Sequence, residues 1–322
     1  IDAVTLAHDV NLTTSIVNNA LINTALGSNT VTLSDAGTAS GGAQVESYQL
    51  ANGANNFTLR AAAQNVTGGS GDDNFNSGAL TTLSGTLDGV SGVDLVNIAL
   101  SATLSATLNN IDGVSLASNV NLTTTIANNA LITTASGSNT VTLSNTGTTS
   151  GATEVENYQL ADGANTFTLG AAAQNVSGGS GDDAVHTGAL TTVGGSIALG
   201  SGNDSLTIVT SGTNISTATL SGVETIVLAN NVNATMSIAQ HALLSAAAGT
   251  NTLTFSDAGI STGAAQVEAY QLANGDNTFT LGANGQDVNG GTGNDGIFAS
   301  DSQLSGAVIN GAAGRDLSLI HI

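Results

Sequence analysis

Apolar residues in this chain come in short alternating runs behind glycine and asparagine, with no helix-length stripe. GSNTVTL (Gly27–Leu33), GANNFTL (Gly53–Leu59) and GVSGVDLVN (Gly89–Asn97) are representative. Such runs predict strands of a few residues that point one face inward and turn sharply at each end. Two stretches look weakly helical, Ala20–Ala25 (ALINTA) and Ala61–Val66 (AAAQNV). Both fall short of the roughly 12 residues that an isolated helix needs, so they are read as part of the strand-and-turn pattern.

The pattern repeats. The segment IDAVTLAHDVNLTTSIVNNALI at Ile1 returns as IDGVSLASNVNLTTTIANNALI at Ile111, a shift of 110. Gln49 returns as Gln159 by the same shift and as Gln271 after a further 112. The chain therefore reads as three copies, 1–110, 111–222 and an incomplete 223–316, in one continuous solenoid. It begins inside a repeating pattern, as an internal piece of a longer array would. Leu317–Ile322 (LSLIHI) breaks the repeat and reads as a non-native tail.

A shorter motif, apolar–acid–x–apolar–x–Leu, starts at Ile1, Val45, Ile111, Val155, Val223 and Val267, with gaps of 44, 66, 44, 68 and 44. All but one gap are multiples of 22. The expected fold is thus all-β, an elongated parallel β-solenoid of 22-residue rungs, five to each 110-residue copy. In Val-Glu-x-Tyr-x-Leu the Val and Tyr are three apart and cannot share one face of a flat strand. A corner at the acid resolves this, making Asp2, Glu46, Asp112, Glu156, Glu224 and Glu268 solvated corner residues. Tyr48, Tyr158 and Tyr270 occupy equivalent positions and are read as a stacked ladder or core cap rather than a ligand cage.

Charge narrows the function. The 322 residues hold 23 acidic and 2 basic side chains, a formal net charge of −21, and neither Cys nor Pro. So acidic a chain is a poor partner for nucleic acid or an anionic membrane surface. No run of about 18 apolar residues exists to insert into a membrane. Without Cys there is neither a disulfide nor a thiolate metal site.

The candidate chemistry sits in three nonapeptides: GGSGDDNFN from Gly68, GGSGDDAVH from Gly178 and GGTGNDGIF from Gly290. Each fits Gly-Gly-x-Gly-x-Asp-x-apolar-x. Glycines permit tight turns, the Asp offers hard oxygens beside turn carbonyls, and the apolar residue begins an inward-facing strand. The nonapeptide resembles that of the repeats-in-toxin (RTX) proteins, whose stacked turns hold calcium in a parallel β-roll. The resemblance implies Ca²⁺ ligation by Asp73, Asp183 and Asp295, and by Asp94, Asp204 and Asp316 at the equivalent place 21 residues on. It implies turn-carbonyl contributions from Gly69, Gly71, Gly179, Gly181, Gly291 and Gly293. Asn55, Asn165 and Asn277 stand where an earlier rung would carry Asp, offering a carbonyl without charge.

Enzymatic readings find little support. Arg60 and Arg315 lie in different copies, His8, His186 and His241 are isolated, and every acid has repeat equivalents. A general acid–base pair needs a constellation unlike its surroundings. The expectation is a non-enzymatic, calcium-stabilised segment of a large secreted bacterial surface protein of adhesin or surface-layer type. Its partners would be calcium ions, neighbouring copies or cell-surface components. The alternatives are a metal-independent structural solenoid and, more distantly, a β-helix enzyme acting on polysaccharide.

Overall fold

A computed structural model describes residues 1–321 of the chain. The chain is a parallel β-solenoid, as the alternating runs require, and it falls into two compact units. One comprises residues 1–145 with 152–159, the other 146–151 with 160–322.

In the first unit, one ladder runs through Asn11–Thr14, Thr30–Leu33, Ser47–Gln49, Asn65–Thr67, Thr86–Asp88 and Thr107–Asn109. A second runs through Thr38–Ser40, Asn56–Thr58, Asn74–Asn76, Leu95–Ile98, Gly113–Leu116 and Ile132–Ala135. The middle residue of each short strand points inward. Val31, Tyr48, Val66 and Leu87 stack in one column, and Phe57, Phe75, Val96 and Val114 in another. Each of these eight side chains is buried to 1% exposure or less. Full burial of one such side chain is worth about 1.5–3 kcal/mol, so a narrow column repeated rung after rung suffices as a core. The second unit repeats the arrangement, with Phe167, Val185, Leu206 and Ile226 stacked in one of its columns.

The 22-residue rung is corrected. Val31 pairs with Tyr48 17 residues on, Tyr48 with Val66 after 18, and Val66 with Leu87 after 21. Phe57 pairs with Phe75 after 18 and Phe75 with Val96 after 21. The five-rung grouping falls with it. The error has a physical source: the recurring acid motif does not mark one face. Asp112 precedes Gly113–Leu116, which pairs with Leu95–Ile98, whereas Glu156 precedes Asn157–Gln159, which pairs with Thr140–Leu143 in a different ladder. A gap of 44 links two corners rather than two whole rungs.

One-turn helices interrupt the strands at Ile16–Asn19, Ile126–Asn129, Ile238–His241 and Asp301–Leu304. The first three are N-capped by Ser15, Thr125 and Ser237, whose side chains accept the N–H three residues on. They precede, rather than coincide with, the weakly helical stretch at Ala20. Leu317–His321 forms a strand beside Gly296–Ser300, and Ile322 lies outside the described residues.

Candidate metal centre

The nonapeptide aspartates do not project into solvent. They form a buried ladder at a turn, one carboxylate per rung, each accepting the backbone N–H of its counterpart one rung earlier. Asp73 Oδ1 accepts from Asn55 N at 2.9 Å, Asp94 Oδ1 from Asp73 N at 2.8 Å, and Asp112 Oδ2 from Asp94 N at 2.8 Å. The second copy gives Asn165 N to Asp183 at 3.0 Å, Asp183 N to Asp204 at 2.7 Å and Asp204 N to Glu224 at 2.8 Å. In the third, Asn277 N reaches Asp295 at 3.0 Å and Asp295 N reaches Asp316 at 3.1 Å. Parallel strands leave the N–H at each turn without a ladder partner, and the carboxylate one rung on supplies it. The six candidates lie along these ladders; Asp316 is exposed whereas the other five are buried.

The other carboxylate oxygen sets the chemistry. In Asp73, Oδ2 accepts from Gly69 N at 3.0 Å, closing the turn on itself. In Asp94, Asp183, Asp204 and Asp295, Oδ2 is buried with no hydrogen-bond partner. A methyl group placed on Gly89 would meet both Asp94 Oδ2 and the Asn110 carbonyl, and one on Gly178 would meet Asp183 Oδ2 and the Leu199 carbonyl. On Gly290 it would lie 2.5 Å from Asp295 Oδ2 and 2.7 Å from the Gly311 carbonyl. Two acceptors thus converge on one small space kept open by a glycine. Burial raises the carboxyl pKa of Asp94 and Asp183 above the ordinary range, with the neighbouring carboxylates adding to it.

These oxygens match part of what a hard cation asks for. Calcium prefers six to eight oxygens, carboxylate and carbonyl together. The orphaned Oδ2 atoms and facing carbonyls offer such donors, while Oδ1 is committed to N–H groups. Among the described residues no cluster of three or more His, Cys, Asp or Glu side chains forms, so carbonyls would have to complete any shell. Gly71, Gly181 and Gly293 adopt φ of 115°, 109° and 130°, as the turn demands. A Cβ on any of the three would collide with the backbone of Gly53, Gly163 or Gly275 one rung earlier. A Cβ on Gly69 would strike the Ala51 carbonyl, one on Gly179 would meet Asp162, and Gly291 takes φ of 95°. These glycines serve close rung-to-rung approach.

Asn55, Asn165 and Asn277 do not offer a carbonyl to the site, which corrects the sequence reading. Asn55 Oδ1 accepts from Gly37 N at 3.3 Å, and the amide nitrogen faces the turn instead. Asp72 and Asp182, one residue before the ladder, are exposed, and accept Val93 N and Asn203 N at 2.9 Å each.

The corner acids prove more than solvated. Glu46, Glu156 and Glu268 accept the backbone N–H of Asn29, Asn139 and Asn251 at 2.8, 2.8 and 2.7 Å. Those three asparagines are fully buried and were missed from sequence. Their signal was the recurrence of Gly-x-Asn-Thr at Gly27, Gly137 and Gly249. Each repeat tyrosine is a core residue with a tethered hydroxyl. Tyr48 accepts Gly42 N at 2.6 Å and donates to Asn19 Oδ1 at 3.1 Å. In the third copy His241 replaces that asparagine, with Nε2 3.0 Å from the Tyr270 hydroxyl. His8 is exposed and pairs with Asp9 at 2.7 Å, and Arg60 is exposed where the other copies carry Gly170 and Gly282.

No family model matches the chain, and no curated protein and no solved structure matches it either.

Proposed function

We propose that the chain is a structural, non-enzymatic solenoid segment of a large secreted bacterial surface protein, of adhesin or surface-layer type, stabilised by calcium. The observation that carries the calcium reading is the set of buried, donor-less Oδ2 atoms at Asp94 and Asp204, which share one repeat position, and at Asp183 and Asp295, whose first-copy counterpart Asp73 instead accepts Gly69 N. An unpaired buried carboxylate oxygen is costly, and a bound proton or cation removes that cost. Calcium, when bound, supplies the positive charge that these oxygens lack and that a chain of net charge −21 cannot furnish from its own side chains. Binding to the folded turns alone stabilises by mass action, so a calcium-poor cytoplasm would favour the loose, exportable chain and the exterior the folded one. The folded array then acts as a spacer or lattice element, with neighbouring copies or cell-surface components as partners.

A metal-independent solenoid is the second reading, favoured by Oδ1 atoms already satisfied by backbone N–H groups. Thermal melting followed by far-UV circular dichroism, in chelator and in ~10 mM calcium, separates the two, since extracellular calcium modules bind at about 10⁻⁴–10⁻³ M. A large calcium-driven rise in melting temperature supports the first reading. An unchanged, fully folded protein in chelator leaves the second.

A further inference from the structure

The turn before each nonapeptide carries asparagine, and its side chain does something that an aspartate cannot. Asn55 Nδ2 lies 2.9 Å from the Ala51 carbonyl, 2.8 Å from the Gly53 carbonyl and 2.7 Å from Asp73 Oδ1. The second copy repeats this around Asn165 Nδ2, with Ala161 O at 2.8 Å, Gly163 O at 2.7 Å and Asp183 Oδ1 at 2.8 Å. The third does so around Asn277 Nδ2, with Ala273 O at 2.9 Å, Gly275 O at 2.8 Å and Asp295 Oδ1 at 2.8 Å. These asparagines are 3–5% exposed.

Two turn carbonyls and a carboxylate thus converge on one nitrogen that has only two hydrogens to share among them. That oxygen set, one anionic and two neutral from a turn, is what a hard cation selects. The opposite amide orientation is ruled out by the network, since it would set an oxygen against three oxygens and an NH₂ against the Gly37 N–H.

We propose that the side-chain amides of Asn55, Asn165 and Asn277 stand in for a bound cation, closing their turns without metal. The turn one rung on carries Asp73, Asp183 or Asp295 at the same place and has no NH₂ to give. Asn55→Asp would therefore set a second carboxylate against the Ala51 and Gly53 carbonyls and Asp73 Oδ1, an all-oxygen cluster that a divalent cation would relieve, unless the turn re-forms as at Asp73, where Oδ2 accepts Gly69 N. Each copy contains one turn closed by its own amide next to turns that present acids, so folding has a metal-independent place to start in every copy. The inference concerns the same ladder as the calcium reading but does not depend on calcium binding by the natural chain.

The test is Asn55→Asp in the full chain, beside Asn55→Leu and the wild type, melted in chelator and in calcium. Calcium binding is measured by equilibrium dialysis. N55D is expected to melt on the order of 5 °C below wild type in chelator, through loss of the amide donor and gain of a repelling charge. Calcium should restore it and add one bound ion, whereas N55L should stay destabilised in both conditions. If N55D is unfolded in chelator, its refolding on calcium addition gives the same comparison, and N165D repeats it in the second copy. An N55D loss that calcium does not repair, or no loss at all, overturns the proposal. A wild type indifferent to calcium beside a calcium-rescued N55D would sink the calcium reading and keep this one.

Discussion

Asp94 accepts the backbone N–H of Asp73 on one carboxylate oxygen at 2.8 Å and buries the other without a donor. Asp94→Asn keeps the acceptor and turns an NH₂ toward the Asn110 carbonyl. We expect it to stabilise the metal-free protein by about 1 kcal/mol, the usual worth of a hydrogen bond, and to blunt any calcium response. Melting in chelator and in calcium reads both effects. A lower melting temperature in chelator would mean that the carboxylate is better satisfied than its geometry indicates.

Acid should affect two groups in opposite directions. Burial raises Asp94 and Asp183, so the folded state holds protons that the unfolded chain has released. Their contribution is full below the ordinary carboxylate value of about 3.9 and is lost as pH rises through the raised folded value. Burial lowers His241, so its neutral form is favoured in the fold and stability falls as pH drops below the ordinary value of about 6.5. Urea midpoints against pH without metal should flatten near neutrality in His241→Asn, the residue type of the other two copies. They should flatten at lower pH in a D94N D183N double variant. Unchanged profiles would remove these groups from the pH response.

Tyr48→Phe should destabilise well beyond the loss of one exposed hydroxyl. The hydroxyl accepts Gly42 N at 2.6 Å and donates to Asn19 on the helical turn at Ile16–Asn19. Its loss leaves buried polar partners unpaired, at about 1–3 kcal/mol. A chemical denaturation midpoint measures this, and a change within error would show that water replaces the hydroxyl.

Two glycines with left-handed φ should differ in tolerance. A Cβ on Gly71, at φ 115°, would lie 2.9 Å from the Gly53 carbonyl carbon, whereas Gly212, at φ 86°, has open space where a Cβ would go. Gly212→Ala should cost only backbone strain, about 1–2 kcal/mol. Gly71→Ala adds a collision with the preceding rung and should lower the melting temperature clearly further. Equal effects would indicate that the rungs can separate locally.

Much of the fold was legible because strand alternation and triplicate similarity are local signals. Phe57, Phe75 and Val31 read as inward-facing from their neighbours alone, whereas the burial of Asp73, Asp183 and Asp295 could not be read that way. Rung length was not legible. Acid motifs at Asp112 and Glu156 look alike in sequence because both cap an N–H one rung earlier, yet they serve different ladders. The burial of Asn29 was missed although Gly-x-Asn-Thr recurs, because besides Leu26 its partners are distant in sequence: Val10, 19 residues earlier, and Glu46, 17 later.

The sequence by itself determined a repeating, parallel, strand-and-turn chain with an acid at each critical turn, since periodicity and residue type are carried along the backbone. Only the tertiary structure decided which atom of each side chain faces which rung. Asn55 and Asp73 differ by one amide, and besides the local Ala51 and Gly53 carbonyls its orientation is set by Gly37 N and Asp73 Oδ1, each 18 residues away. Stacking brings that chain to hydrogen-bonding distance, and no local pattern encodes it.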